Sequence, residues 1–142
     1  MLTRGNTKLG SGVLGASRPA LDTCPGASEL CSARGYAMRG HYSFESVQRA
    51  HKRNWGLSET PEFVHWMVAQ IRMQQAQVLR IHVSGDFYDL PYIEKWLSIV
   101  RRTRRTEFSA YTRSWMDRDL RPGLITLSKE PNMNLLWSYD RP

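Results

Sequence analysis

The sequence predicts an α/β fold: an open parallel sheet of three or four strands with flanking helices, resembling a partial (β/α) barrel. Three observations predict it. From residue 78 onward, short β-branched or apolar runs alternate with amphipathic helical segments. The first run, with Val78, Leu79, Ile81 and Val83, is nearly continuously apolar, as strands buried on both faces are. Each clear strand also ends in small or hydroxyl residues followed by a charge. Three or four strands cannot close a barrel, for which about eight are usual, so the sheet is expected to be open.

The elements follow in order. "GVLGAS", residues 12 to 17, reads either as a strand or as a loop. Residues 21 to 40 form a loop broken by Pro25, Gly26, Gly35 and Gly40. "SFESVQRAHKRN" opens with Ser43, a good N-cap, and predicts a helix to about Asn54. "SETPEFVHWMVAQIRMQQA" places Pro61 in a first helical turn. Phe63, Met67 and Ile71 form its apolar stripe, with Val64 and Val68 beside them and Trp66 and Met73 widening it. His65, next to the stripe, reads as a surface helix residue. "VLRIHVSGDF" gives a strand over 79–84, and "LPYIEKWLSIVRRTR" a helix with Ile93, Trp96, Leu97 and Val100 on one face. "TEFSAYTRS" gives a strand over 107–112, and "NMNLLWSYD" one over 134–138. The stretch between them is helical in parts and broken at Pro122-Gly123.

The 142 residues suit a single domain spanning 1–142. Hydrophobic residues make up 41%, ordinary for a globular chain. No apolar run reaches the roughly 20 residues of a membrane span, and the first twenty residues lack a signal peptide's apolar core. No membrane association is therefore expected, and the expected location is cytoplasmic, with thiols reduced. The net charge is +7, and 16 of the 20 basic residues are Arg. That balance favours phosphates or other anions as partners. The densest run, "RRTRR" at 101–105, has two readings: cations complementing a helix carboxyl end, or a nucleic-acid surface.

Ligands of parallel α/β folds bind beyond the carboxyl ends of the strands. Ser84, Gly85, Asp86, Thr112, Arg113, Ser114, Ser138 and Asp140 would face one cleft there. Taken singly they are ordinary turn and cap residues; as a converging set they predict a site. Asp89 suits the cap of the helix near Leu90 better than Asp86 does. No Walker loop, dinucleotide fingerprint, zinc-protease helix or nucleophile elbow is present. Cys24 and Cys31 are the only cysteines. Their spacing from His41 and His51 matches no standard zinc finger.

"GNTKLGSGV", "DTCPGASELCSARGYAM", "RIHVSGDFYDLPYIEKWLSIV", "FSAYTRS" and "NLLWSYDR" together resemble the phage and bacterial Gene product 88 family. The likeness spans nearly the whole chain, with its motifs in the family's order. It supplies no reaction. It also implies a chain shortened at its carboxyl end, because the family continues past the "SYDR" segment with more cysteines.

A more distant likeness is to the radical S-adenosylmethionine enzymes. It implies Cys24 and Cys31 as metal ligands of a [4Fe–4S] cluster. Ser84, Gly85 and Asp86 would then hold S-adenosylmethionine, and Thr112, Arg113 and Ser138 would complete the cofactor cleft. Gly35 stands where the Gene product 88 family carries a further Cys before the aromatic, here Tyr36. Two expectations follow. One is an iron–sulfur enzyme acting on a phosphate-bearing substrate, or a degenerate fragment of one. The other is a basic phage-type protein that binds nucleic acid through Arg101, Arg102, Arg104 and Arg105 without catalysis.

Overall fold

A computed structural model describes residues 1–5, 10, 12–34 and 39–139. Five strands form one sheet in chain order: β1 (Thr3–Arg4), β2 (Val13–Ser17), β3 (Val78–Ser84), β4 (Glu107–Thr112) and β5 (Met133–Trp137). β2, β3, β4 and β5 pair in parallel, whereas β1 runs antiparallel to β2. The sheet is therefore mixed, not purely parallel as expected. The extra strand is only two residues long and carries no apolar pattern, so periodicity gives no sign of it. "GVLGAS" resolves into the strand β2.

Helices fill the crossovers: α1 (Glu29–Arg34), α2 (Glu45–Glu59) and α3 (Phe63–Met73) between β2 and β3, α4 (Leu90–Arg102) between β3 and β4, and α5 (Arg121–Ser128) between β4 and β5. Strands laid down in chain order with right-handed crossovers send every helix to the same face. Burial agrees along β4, where Phe108, Ala110 and Thr112 are buried and the alternate residues Glu107 and Tyr111 are exposed. α3 packs on α4, and α4 on α5. Trp96 of α4 is fully buried and meets Phe63, Tyr92 and Phe108 edge-on.

Local signals erred where a turn intervened. Ser43 does not cap α2; it ends a 3-10 turn, Gly40–Ser43, and Phe44 stands at the cap. Pro61 lies ahead of α3 rather than in its first turn. Trp66 and Met73 do not widen the α3 stripe and are 37% and 83% exposed. At roughly 100° per residue they fall on the side away from Phe63, Met67 and Ile71. Asp89 caps α4 as expected, its carboxylate accepting from the Tyr92 amide at 2.7 Å. Among the described residues, no helix is long and apolar enough to cross a membrane.

Several polar groups are buried among the described residues, and Arg18 and His82 pack against the same aromatic ring, that of Tyr92. Arg18, just past β2, is fully buried. Its guanidinium lies over the rings of Phe63 and Tyr92 and donates to the Ser17 carbonyl at 2.8 Å. His82 of β3 is bonded to the Tyr92 hydroxyl at 3.0 Å and meets Phe87 edge-on. Burial, then the charges of Arg18 and Arg80, push the His82 pKa well below its ordinary value. His51 of α2 is lowered too, by burial and by Arg18.

Both imidazoles are thus neutral in the folded protein at neutral pH. The unfolded chain gains protons below about pH 6.5 that the fold refuses, so stability is full above that pH and declines below it. His82 alone should cost up to about 1.4 kcal/mol per pH unit. Thermal melts of wild type are expected to fall from pH 7 to pH 5, and His82→Asn should flatten part of that slope while His51 keeps the rest. An unchanged slope in the variant would show that His82 is not the titrating group.

Candidate functional site

The carboxyl ends of the parallel strands are roofed by the segment that follows β2. Gly26 makes this closure possible: a Cβ there would lie 2.2 Å from the Arg113 carbonyl oxygen. The Pro-Gly turn thus rests directly on the backbone leaving β4. Beneath it lies a cavity of about 450 Å³, walled by the roof and by the ends of β3, β4 and β5.

Asp86 ties these parts together. Its carboxylate accepts from the amides of Phe87 and Arg113 and from the Thr112 hydroxyl, each at 2.7 Å, and from the Ser114 amide at 3.1 Å. Its own amide donates to the Thr23 carbonyl at 3.1 Å. One side chain therefore joins the β2 roof, the end of β3 and the end of β4. Burial raises its pKa, opposed by the bonds from Thr112, Arg113, Phe87 and Ser114. Asp86 borders the cavity, but its oxygens are engaged with protein donors.

The other expected residues divide in a similar way. Ser84 binds the chain leaving β2: its hydroxyl donates to the Arg18 carbonyl at 3.0 Å, and its carbonyl accepts from the Arg18 amide at 2.9 Å. Gly85 has φ +84°, and a Cβ would meet Thr23 Oγ1 at 2.6 Å and Arg18 Cβ at 2.7 Å. Glycine is needed here for the roof to approach. Thr112 lies behind the wall, bonded to Asp86 and to the Ser114 amide. Ser138 extends the ladder to Thr112, and its carbonyl accepts from the Trp115 indole at 2.8 Å. Arg113 and Ser138 both line the cavity. Asp140, Gly35 and Tyr36 fall outside the described residues.

Cys24 and Cys31 line the same cavity from the roof, both half-buried and both free thiols. Cys31 lies on α1, its amide accepted by the Ser28 hydroxyl. Chiefly through burial, the Cys24 thiol is pushed up to about 11. Among the described residues, no three metal-ligating side chains come together. Three wall residues were missed by sequence reasoning: Arg80, His82 and Tyr111. Arg80 lies over the Tyr111 ring at 5.4 Å, and its Nε donates to the His82 carbonyl at 3.2 Å. The available signal was the "R-I-H" interruption of an otherwise apolar strand.

The whole chain, residues 1–142, matches the family model described as Gene product 88. The chain belongs to the Gene product 88 family. Over 102 residues it is 28% identical to the Gene 88 protein of Mycobacterium phage L5, a match covering 64% of this chain and 43% of that protein. The Gene 88 protein of Mycobacterium phage D29 is 26% identical over 102 residues, covering 64% of the chain and 42% of the relative. The chain thus spans under half the length of these relatives. No solved structure matches it.

Two predictions follow from the geometry. Asp86→Asn keeps the shape but turns an acceptor into an amide donor facing protein donors. It should lower stability by about 1–3 kcal/mol in urea melts, because buried donors lose their acceptor. An unchanged midpoint would show that the carboxylate does not hold the three segments together. The second concerns Cys24, whose thiol near 11 leaves only about one thiolate per thousand molecules at pH 8. Its alkylation by iodoacetamide should therefore climb about tenfold per unit from pH 8 to pH 10; a plateau near pH 9 would contradict the burial that raises it.

Proposed function

We propose that the cavity at the carboxyl ends of β2 to β5 is a binding site for a compact anionic ligand carrying a nucleoside. The observation that carries this reading is the pairing of Arg80 with the exposed Tyr111 ring on the wall that also holds Arg113. Two guanidinium groups suit a phosphate or carboxylate, and the open ring face suits a base. Among the described residues, the only carboxylate on the wall is Asp86, and it is engaged by protein donors. Position favours the same reading, since parallel sheets place ligands beyond their strand ends. In this reading the four parallel strands are one arc of a (β/α) barrel and Ser84, Gly85 and Asp86 shape the site rather than grip the ligand.

An iron–sulfur cluster is a different matter. A three-thiolate site needs one more thiolate than Cys24 and Cys31 supply. The described donor set therefore does not fit it, and no chemical step is routed through a cluster. The thiols serve in this reading as half-buried wall groups that a bound ligand would cover.

Calorimetric titration with adenine nucleotides and with S-adenosylmethionine tests the reading. An adenine nucleotide should bind, more tightly than S-adenosylmethionine, whose net charge is positive, and Tyr111→Ala should weaken that binding about 5- to 100-fold, as loss of base stacking does. Arg113→Gln should weaken it as well, with the melting temperature retained. Binding that is indifferent to both substitutions, or no binding by any of these ligands, would defeat the proposal. Iron and sulfide analysis after anaerobic purification, on wild type and Gly35→Cys, tests the cluster separately. Raised iron in the variant would reveal a cluster loop lacking one ligand.

A further inference from the structure

The opposite end of the sheet carries a second concavity, a groove of about 870 Å³. α3 and α4 both end there, and the loop from α4 to β4 forms its far side. Five arginines meet at it: Arg72 of α3, and from the single run 101–105 Arg101 and Arg102 of α4 and Arg104 and Arg105 of the loop. Helix carboxyl ends favour cations, which accounts for Arg72, Arg101 and Arg102 singly. It does not account for Arg104 and Arg105, which follow the helix.

Neutralisation is nearly absent. Arg101 pairs with Glu130 at 2.7 Å. Arg72 donates to the Arg102 carbonyl at 3.2 Å, which holds a second guanidinium against the cluster. Among the described residues, Arg102, Arg104 and Arg105 make no ion pair, and all three are exposed. A solvated surface run would be flexible, but this loop is pinned from below. The Asn132 amide donates to the carbonyls of Val100, Thr103 and Thr106. The Thr106 hydroxyl donates to the Ala76 carbonyl at 2.7 Å, and the Thr103 hydroxyl to the Ile99 carbonyl at 2.7 Å. Fixed cations in a concave surface lose less freedom on binding a polyanion.

We infer that this groove binds the phosphate backbone of duplex DNA. Arginine forks match phosphate oxygens, and exposed Gln75 and Gln77 add neutral donors along the groove. Among the described residues, no aromatic side chain lines it, so they offer no platform for unstacked bases. Its apolar members, Ile71 and Ala76, are buried and offer nothing to insert into lipid. Binding is therefore electrostatic and indifferent to sequence. The groove lies at the amino ends of the strands, away from the cavity, and the inference stands independently of the small-molecule reading.

Fluorescence anisotropy with a short labelled duplex, from about 50 to 200 mM salt, tests it. The expected result is affinity that falls linearly on a log–log plot. The pair Arg104→Ala with Arg105→Ala should flatten the slope by about 1.8, near 0.9 per lost phosphate contact. Lys52→Ala with Arg118→Ala removes equal charge elsewhere on the exposed surface and should leave the slope alone. If the first pair loses its melting transition, Arg72→Gln should flatten the slope by about 0.9 on its own. Equal flattening by both pairs, absence of duplex binding at low salt, or arginine-dependent binding to anionic vesicles without duplex binding would each overturn the inference.

Discussion

The carboxyl end of this sheet depends on one buried carboxylate. The ends of β3 and β4 and the roof meet there, and the two strand ends leave backbone amides without ladder partners. Asp86 accepts the Phe87, Arg113 and Ser114 amides together with the Thr112 hydroxyl. Unpaired buried donors each cost free energy comparable to a lost hydrogen bond, so this end could not be buried without such an acceptor. Two glycines complete the arrangement by removing side chains where segments touch. Gly85 admits Thr23 and Arg18, and Gly26 admits the Arg113 carbonyl. The "CPGA" and "SGD" segments are thus halves of one contact: the first supplies the roof and the second the acceptor beneath it.

That coupling explains what was and was not legible in the sequence. Parallel strands at residues 78–84, 107–112 and 133–137 could be read because β-branched runs and helical stripes are local signals. The convergence of Ser84, Asp86, Arg113 and Ser138 could be read because parallel topology brings strand ends together, and the place of Cys24 and Cys31 beside them was implied by the family likeness. What could not be read was which way a polar group spends its bonds. Asp86 looked like a ligand group because a carboxylate after glycine is free to face a cleft. Three of its four donors come from residues 26 to 28 positions away, and no local pattern announces a partner at that distance. Arg80 and Tyr111 erred in the other direction. Each interrupts or ends a buried strand, yet both lie on the face away from the helices, where a long polar side chain costs little.

Charge separates the two ends of the molecule more sharply than composition does. At the amino ends of the strands the arginines are exposed and fixed by a pinned loop, which suits an extended polyanion. At the carboxyl ends the cations are fewer and partly enclosed. Arg18 adds to them from beneath, fully buried against two aromatic rings and without a carboxylate partner among the described residues. A buried cation is costly, and the ring faces and one carbonyl offset only part of that cost. Its field reaches the neighbouring groups, adding to the burial that chiefly lowers His82 and His51 and opposing the rise of Tyr92 that burial causes. The same field extends toward the cavity floor, where His82 stays neutral and Asp86 is the acid held by protein donors. An anion entering the cavity would meet Arg80 and Arg113 at the wall and Arg18 behind it. On the proposed reading, part of the free energy spent on burying that guanidinium would be recovered when an anion binds.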